Sequence, residues 1–238
     1  MTPIDLGLSV KWGDRYLGAP DEYSEGLYTG WGDITGNING NNYSDYTHGQ
    51  QHISGNANYD IATAILGPGW RLPTRAEYLE LVKATNLKWY YNSVTPYFKA
   101  VADNGNEIFF SKTSILENNG EPVKDKRTGA ILFNTNYHMY AWTGDIMDDF
   151  PDKAAYMMNI HKLSPPVGED VEIKRQTYWA TGVGSTVCNK LCVRPVYDGP
   201  DIEEDQPITI PTSIQLQPIE PEYETVQEVK YVTSGANL

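Results

Sequence analysis

The sequence predicts an α+β fold in which two helices precede a set of antiparallel strands. Signals that start and stop helices cluster between residues 59 and 83, and strand-like segments rich in aromatic and β-branched residues follow from residue 87. The turn DNGNE at 103–107 predicts a hairpin between two of these segments. Early helices followed by late antiparallel strands argue against a doubly wound parallel sheet.

The first elements along the chain are an opening strand and a long loop. Residues 4–13, IDLGLSVKWG, predict the strand, and the stretch 28–58, rich in Gly, Asn and Tyr, predicts a surface excursion. The first helix is predicted from about Tyr59 to Leu66. Gly67 can then adopt a left-handed cap, and Pro68 cannot continue the helix.

The second helix has an unusually well-defined start in GWRLPTRAEYLELV, residues 69–82. The Thr74 hydroxyl can accept a hydrogen bond from the third helical residue, Glu77, whose carboxylate can reach back to the amide of Thr74. Tyr78, Leu81 and Val82 follow at helical spacing and form one apolar face. Eight strand-like segments then follow: LKWYY, YFKAV, NEIFFSK, AILFN, MYAWTG, AAYMMNIH, TYWATG and LCVRPVY.

The distribution of charge predicts a boundary after Asp198. Residues 199–238 hold eight acidic residues and one basic residue, which supply −7 of the net charge of −13. This stretch also contains Pro200, Pro207, Pro211, Pro218 and Pro221, which disfavour long helix. We therefore expect a domain at 1–198 and an extended acidic tail at 199–238. Because its apolar residues would otherwise face water, we expect the tail to dock as extended strands on another subunit, either a partner protein or a second copy in a homo-oligomer.

Composition also excludes classes of partner. An acidic chain without a basic stripe is a poor ligand for nucleic acid or for an anionic membrane. No apolar run approaches the length of a membrane span, and Met1 leads into IDLGLSVKW without the pattern of a signal peptide. The chain as given thus indicates neither secretion nor anchoring, unless a leader was removed. The expected location is a virion or, with such a leader, the cell surface.

Five segments along the chain carry a resemblance to a known family: IDLGLSVKW at 4–12, YTGWGD at 28–33, YDIATAILGPGWRLPTRAEYLEL at 59–81, NGNEIFF at 104–110 and CVRPVYD at 192–198. They occur in the order found in the FISUMP-type major paralogous domain, which the chain resembles. RLPTRAEY is also similar to a signature of formylglycine-generating-enzyme relatives. Both groups have a C-type-lectin-like fold. The resemblance implies two helices and a twisted antiparallel sheet, with close termini and long loops that form a binding face.

The same resemblance implies structural roles for several residues. The RLPT turn would join the helices and dock them on the sheet, with Trp70 in the core and the Thr74–Glu77 capping box fixing the helix start. Arg71 would pair with an internal carboxylate or with carbonyls. Arg194, beside Pro195, would satisfy buried polar groups. Arg71 or Arg75 as an anion clamp is the alternative that remains open.

The enzymatic members of the resembled group bind copper through two active-site cysteines. This chain has only Cys188 and Cys192, whose spacing and setting do not match that site. We expect two buried free thiols, no cofactor and no enzymatic activity. His48 and His52 are four residues apart, but they lie in a predicted loop, THGQQHISGN, so we expect solvated histidines rather than metal ligands.

Calcium is the second metal to consider, because many C-type lectins bind sugar through it. The tripeptides EPN, QPD and WND, which mark those sites, do not occur in the sequence. An acidic segment at 145–152, predicted as a loop, contains Asp145, Asp148, Asp149 and Asp152. Solvated carboxylates are the expected interpretation, and we predict no obligatory metal.

Aromatic residues in predicted loops supply the candidate binding face. The candidate ligand-binding residues are Tyr43, Tyr46, Tyr137, Trp142 and Trp179. The expected function is a non-catalytic recognition or display domain that binds a glycan or a protein through its loops, as a component of a larger assembly such as a phage virion. The alternatives are a surface adhesin that lacks its leader and an oxidoreductase of the formylglycine-generating type.

Overall fold

Strands form most of the regular structure. The computed structural model describes residues 1–132, 137–162, 164–173 and 183–200, all within the unit Met1–Pro200. The helices of this part are α1 Ser44–Thr47, α2 Ile61–Leu66 and α3 Arg75–Lys83. The strands are β1 Pro3–Ile4, β2 Lys11–Gly13, β3 Trp70–Arg71, β4 Leu87–Asn92, β5 Tyr97–Ala102, β6 Glu107–Ser111, β7 His138–Ile146, β8 Ala154–His161, β9 Val171–Ile173, β10 Gly184–Thr186 and β11 Val196–Tyr197. The predicted α+β class is thus confirmed as a β-rich fold with few helices.

Some sequence expectations fall outside this part of the chain. The predicted strand TYWATG at 177–182 and the tail from residue 201 lie outside the described residues. None of the three helices in the described ranges is long and apolar enough to cross a membrane.

Both predicted helices are present, and the capping box is confirmed. The Thr74 hydroxyl accepts a hydrogen bond from the N–H of Glu77 at 3.2 Å, and the Glu77 carboxylate accepts one from the N–H of Thr74 at 2.7 Å. Helix α2 begins after Asp60, whose carboxylate accepts hydrogen bonds from two backbone N–H groups of the first turn. Gly67 ends α2 with φ 85° and ψ −171°. The predicted left-handed cap is therefore wrong, because the chain leaves in an extended conformation that only glycine adopts easily.

The opening segment forms two strands rather than the predicted single strand. Gly7 has φ 67°, and the Asp5 carboxylate accepts a hydrogen bond from the N–H of Gly7 at 2.7 Å, so the chain turns between β1 and β2. These strands pair antiparallel with each other, and β2 also pairs with β11. The sheet order is β1-β2-β11-β3, which places the beginning and the end of the described unit side by side.

Two further antiparallel sheets contain the longer strands. One has the order β10-β8-β7, and the other has the order β6-β5-β4-β9. The predicted hairpin joins β5 to β6: the N–H of Ala102 donates to the carbonyl of Asn106 at 2.8 Å, and Gly105 has φ 88°. In this hairpin Lys99 is paired with Phe109, and Phe98 is paired with Phe110. Because side chains alternate along a strand, these two pairs lie on opposite faces of the sheet.

The segment 28–58 is not the simple surface excursion expected from its composition. Trp31 and Tyr46 are fully buried, and the indole N–H of Trp31 donates to the carbonyl of Thr143 at 2.9 Å. The backbone N–H groups of Thr29 and Trp31 also donate to carbonyls near the end of the domain, at Leu191 and Val187. The glycines and asparagines therefore shape a loop whose aromatic residues are anchored in the core.

The core consists of two clusters of buried side chains. The first contains the apolar face of α3 and the inner face of the β6-β5-β4-β9 sheet, including Trp89, Phe98 and Phe110. The second cluster contains Trp31, Tyr46 and buried side chains of β7 and β8. The inner face is thus closed by α3 and its neighbours, and the opposite face of the same sheet carries the partly exposed residues described below.

Candidate functional site

Two of the predicted ligand-binding residues belong to the core. Tyr46 is fully buried, and its hydroxyl donates to the carbonyls of Ile38 and Gly40 at 3.2 and 2.9 Å. Trp142 lies in β7, is also buried, and donates its indole N–H to the carbonyl of Thr29 at 2.8 Å. Their polar atoms are satisfied inside the protein. Placing these two residues on a ligand-accessible face was therefore wrong.

The other three candidates do not assemble into the expected face. Tyr43 is partly exposed where α1 begins. Tyr137 is half-buried, with its ring 5.0 Å from the ring of His138. Trp179 lies outside the described residues. The loop face predicted from aromatic composition is therefore not formed by these residues as a group within the described part of the chain.

Arg71 lies in a network of internal partners. Its guanidinium donates to the Glu77 carboxylate at 2.9 and 2.5 Å and to the Asp198 carboxylate at 2.6 Å. The same Glu77 completes the cap of α3, so the network ties the helix start to the end of the domain. Trp70 is buried, with its ring 5.0 Å from that of Tyr197. Since two carboxylates already neutralise Arg71, its geometry supports a structural role rather than an anion clamp.

Arg75, the other residue considered as an anion clamp, lies against an aromatic ring. Its guanidinium carbon is 4.0 Å from the centre of the Tyr156 ring, which is a cation–π contact. Its backbone N–H donates to the Asp145 carboxylate at 2.6 Å. These contacts place Arg75 within the packing of α3 against β7 and β8.

Arg194 is fully buried and uses carbonyls as acceptors. It donates to the carbonyl of Phe109 at 2.8 Å and to that of Asp14 at 3.0 Å, and its guanidinium lies 4.7 Å from the centre of the Phe110 ring. Burial lowers the pKa of Arg194 to about 10, so the side chain stays charged at neutral pH. This arrangement matches the structural role that the sequence resemblance implies.

The two cysteines are free and buried. Burial raises the pKa of the Cys188 thiol to about 11 and that of the Cys192 thiol to about 12. Metal binding and nucleophilic attack both need the thiolate, which burial disfavours here. The described residues also contain no group of three or more His, Cys, Asp or Glu side chains able to hold a metal ion. The two thiols therefore do not fit the copper site of formylglycine-generating enzymes.

The acidic segment is less loop-like than predicted. Asp145 lies in β7, and its carboxylate is 2.6 Å from Nδ1 of His52. Asp148, Asp149 and Asp152 are all exposed, and Asp148 also accepts a hydrogen bond from the hydroxyl of Tyr156 at 3.1 Å. Treating all four residues as one loop was therefore wrong, because β7 extends to Ile146 and internal donors engage Asp145. The donor set does not fit a calcium site, which needs six or more converging oxygens.

The histidines at 48 and 52 have different surroundings. The ring of His48 stacks on that of Tyr59, with 4.7 Å between ring centres. His52 pairs instead with the carboxylate of Asp145. Both residues are exposed at the surface, and the four-residue spacing does not bring them into one site because His48 already follows the end of α1.

A row of aromatic and charged side chains crosses the outer face of the β6-β5-β4-β9 sheet. The register places Phe109 beside Lys99, and Lys99 beside Tyr90. The Lys99 ammonium lies 5.4 Å from the centre of the Tyr90 ring and 5.8 Å from that of Phe109. It also forms an ion pair with Asp170. This face is thus an ordered surface of rings held by a central cation.

Tyr23 extends this surface from a loop before the first helix. Its ring lies 5.0 Å from that of Phe109 and 5.4 Å from that of Tyr97, which in turn donates its hydroxyl to Asp170 at 2.7 Å. Tyr23 nevertheless remains 44% exposed. One side of its ring is therefore packed on the sheet, and a large part of it faces solvent.

A cleft of about 460 Å³ opens beside Tyr23. We call it the outer-face cleft, and its lining residues are Tyr23, Glu25, Ser93, Val94, Thr95, Pro96, Ser111 and Lys112. Val94, in the turn between β4 and β5, is 68% exposed. The lining is mixed: Tyr23, Val94 and Pro96 supply aromatic and aliphatic surface, and the other five residues are polar or charged. Binding sites combine such apolar surface with polar groups that orient the ligand.

The alternation of residues along β5 and β6 could have indicated this site, although the overall composition does not. In YFKAVA and EIFFS, every second residue faces outward, so the hairpin register separates Phe109 from Phe110. The outward positions include Tyr97 and Phe109, where a solvated face would normally have polar residues. Tyr23 carries no such signal, because its position over β5 and β6 depends on the path of the loop.

Comparison of the chain with protein-family models, with curated protein sequences and with solved structures found no match. Function must therefore be inferred from the geometry of the described residues. Among them, the outer-face cleft combines an exposed aromatic ring, a packed floor of rings and polar groups. The thiols are buried, and Arg71, Arg75 and Asp145 are engaged by internal partners.

Proposed function

We propose that this protein is a non-catalytic recognition domain that binds a partner, glycan or protein, at the outer-face cleft and acts within a larger assembly. The observation that carries the proposal is the exposed ring of Tyr23, fixed by Tyr97 and Phe109 at the edge of a concave site. Aromatic rings that are half exposed and preorganised contribute binding area at a low cost in conformational entropy.

The C-type-lectin-like assignment belongs to this proposal. It is supported by the sequence resemblance, by the two capped helices that precede the longer strands and by the pairing of β2 with β11 near the domain ends. The expected loop face differs from the proposed one, since Tyr46 and Trp142 are buried. The outer-face cleft is still formed partly by loops, namely the segment around Tyr23 and the turn 93–96.

The non-catalytic part of the proposal rests on the state of the reactive groups. Both thiols are held in the protonated form by burial, and protonated thiols are weak nucleophiles and weak metal ligands. Within the outer-face cleft, the only carboxylate is that of Glu25, which already accepts a hydrogen bond from the hydroxyl of Tyr28 at 2.6 Å. A cleft with one engaged carboxylate is better suited to binding than to acid–base chemistry that needs two such groups.

The assembly part of the proposal rests on the tail. Residues 199–238 combine −7 of net charge with five prolines and with alternating apolar residues. The apolar side chains of such a segment would be exposed to water if it stayed isolated, and an extended segment of this kind can dock on another subunit. We place the protein in a virion or at the cell surface, as a display component whose tail joins it to its neighbours.

Two exposed tyrosines allow a matched test of the site. Tyr23 is 44% exposed in the cleft, and Tyr43 is 37% exposed in α1's leading turn. The full chain should be screened against immobilised neutral oligosaccharides and extended peptides. We expect Tyr23→Ala to weaken binding about tenfold or more and Tyr43→Ala to leave it unchanged. Equal binding by both variants, or no binding by any probe at millimolar concentration, would contradict the proposal.

A further inference from the structure

We propose that the outer-face cleft binds an extended proline-rich peptide, and that its occupant in the assembly is segment 217–222, QPIEPE, of a second copy of the chain. This inference rests on the proposed function, because it names the ligand class of the same cleft. It is carried by two independent observations: the chemistry of the cleft walls and the spacing of prolines in the tail.

The apolar walls match the rings of a proline-rich peptide. Tyr23 presents an exposed ring whose orientation is fixed by Tyr97 and Phe109, and Val94 and Pro96 add aliphatic surface from the turn between β4 and β5. Proline rings pack well against aromatic rings, and a peptide in the polyproline II conformation has little conformational entropy to lose on binding. A preformed aromatic groove is the usual receptor for such a peptide.

The polar groups of the cleft match the backbone of the same peptide. A polyproline II helix has no internal hydrogen bonds, so its carbonyls are free to accept hydrogen bonds from a receptor. Thr95 and Lys112 line the cleft. Their backbone N–H groups are hydrogen-bonded, and within the described residues the Thr95 hydroxyl and the Lys112 ammonium group have no hydrogen bond or ion pair. Ser93 and Ser111, by contrast, are bonded to the carbonyls of Gly168 and Ser24.

The tail contains one segment with the required proline spacing. Pro218 and Pro221 are the only two of the chain's 15 prolines that are three residues apart. Because polyproline II repeats every three residues, a peptide of this sequence bound in that conformation would present both rings along one edge, roughly 9 Å apart at 3.1 Å per residue. Glu220 and Glu222 flank the second proline and complement Lys112. The acidic residue of the cleft, Glu25, accepts a hydrogen bond from the hydroxyl of Tyr28.

Binding between copies has a geometric consequence. The cleft of one copy would take the tail of the next, so the contact is heterologous, with different surfaces on its two sides. Heterologous contacts form rings when the rotation closes and filaments when it does not. They also allow complementation, because a copy with a defective cleft still offers its tail and a copy with a defective tail still offers its cleft.

The test uses full-length chains in sedimentation velocity over a range of concentrations. We expect the wild-type chain to associate, and the variants Tyr23→Ala and Pro218→Ala/Pro221→Ala each to weaken association about tenfold or more. An equimolar mixture of the two variants should form heterodimers and no larger species. Tyr43→Ala and Pro207→Ala/Pro211→Ala are the matched controls, and both should associate as the wild type does.

A second measurement separates this inference from the proposed function. A synthetic peptide of residues 214–225 is titrated into the Pro218→Ala/Pro221→Ala chain, and the same peptide with both prolines replaced by alanine serves as its control. Binding of the first peptide alone, lost when Tyr23→Ala is added, supports the inference. Binding of a neutral oligosaccharide but not of the peptide, again dependent on Tyr23, overturns the inference and leaves the proposed function in place. If neither the peptide nor the oligosaccharide binds, both the inference and the proposed function are overturned.

Two further results would overturn the inference on its own. One is a wild-type chain that stays monomeric at all concentrations, since the tail would then not engage a second copy. The other is association that survives Tyr23→Ala and Pro218→Ala/Pro221→Ala unchanged, since the copies would then meet through other surfaces. Circular dichroism and thermal unfolding of each variant confirm that a lost interaction does not reflect a lost fold.

Discussion

The two faces of the β6-β5-β4-β9 sheet contain similar residues in different environments. Phe110 faces inward, is fully buried, and packs against the rings of Trp89 and Trp12 at 5.8 and 6.4 Å. Its neighbour in sequence, Phe109, faces outward and packs against Tyr97 and the exposed Tyr23 at 5.2 and 5.0 Å. The same residue type therefore builds the core on one face and a candidate binding surface on the other, and only its position in the strand decides which.

The largest expected difference between the faces is in stability. Replacing Phe110 with Ala should lower the free energy of unfolding by about 3–5 kcal/mol, because it leaves a cavity between two tryptophans and the buried Arg194. Replacing Phe109 with Ala should cost about 1–2 kcal/mol, since its side chain is only partly removed from solvent. Urea unfolding of the two variants measures both values. An equal loss in the free energy of unfolding for both variants would contradict the assignment of Phe110 to the core and of Phe109 to the outer face.

The second expected effect concerns the helix that closes the inner face. Tyr78, Leu81 and Val82 of α3 belong to the same cluster as Trp89 and Phe110, and the capping box fixes where that helix begins. Replacing Thr74 with Ala should cost about 1 kcal/mol, because the N–H of Glu77 loses its acceptor. Thr74→Ser keeps the hydroxyl and should be close to wild type in thermal unfolding. A similar loss in both variants would point to the methyl group rather than to the cap.

The sequence predicted correctly those structural elements that depend on residues close together in the chain. Thr74 and Glu77 are three residues apart and specify their own hydrogen bonds, and the turn at 103–107 specifies the hairpin of β5 and β6. Both are decided by neighbours in sequence, so no knowledge of the rest of the chain is needed.

The candidate site was predicted poorly because it depends on distant contacts. Tyr46 and Trp142 resemble loop aromatics in sequence. Backbone bonds to Leu191 and Val187 nevertheless draw the 28–58 segment that contains Tyr46 into the core, and Trp142 lies in β7. Tyr23 resembles an ordinary loop residue, yet it lies over strands more than 70 residues later in the chain. Composition suggested that aromatic residues would form a binding face, but tertiary packing determines which of these residues remain accessible to a ligand.

The smallest expected effect lies on the outer face, where charge supports the aromatic row. Burial on its own raises the pKa of Asp170, but the hydrogen bonds from Lys99 and Tyr97 outweigh it and hold that pKa below its usual value of 3.8. A carboxylate with a lowered pKa stabilises the fold above the unfolded-state value, and this contribution disappears as pH falls through the folded-state value. The ion pair is partly exposed, so its contribution at neutral pH is about 0.2–1 kcal/mol.

Asp170→Asn measures this contribution with little other change. Asp170 has φ 46°, a left-handed conformation that Asn tolerates well, and the amide oxygen can still accept from the Tyr97 hydroxyl. We expect a loss of about 0.2–1 kcal/mol at pH 7, which disappears as pH falls through the folded-state pKa of Asp170, because the wild-type carboxyl group is then protonated as well. The control Asp149→Asn removes the same charge from an exposed position away from the aromatic row and should leave the stability at pH 7 unchanged. If the loss persists at low pH, the geometry of residue 170 rather than its charge supports the outer face, and Lys99 would be held there mainly by the rings of Tyr90 and Phe109.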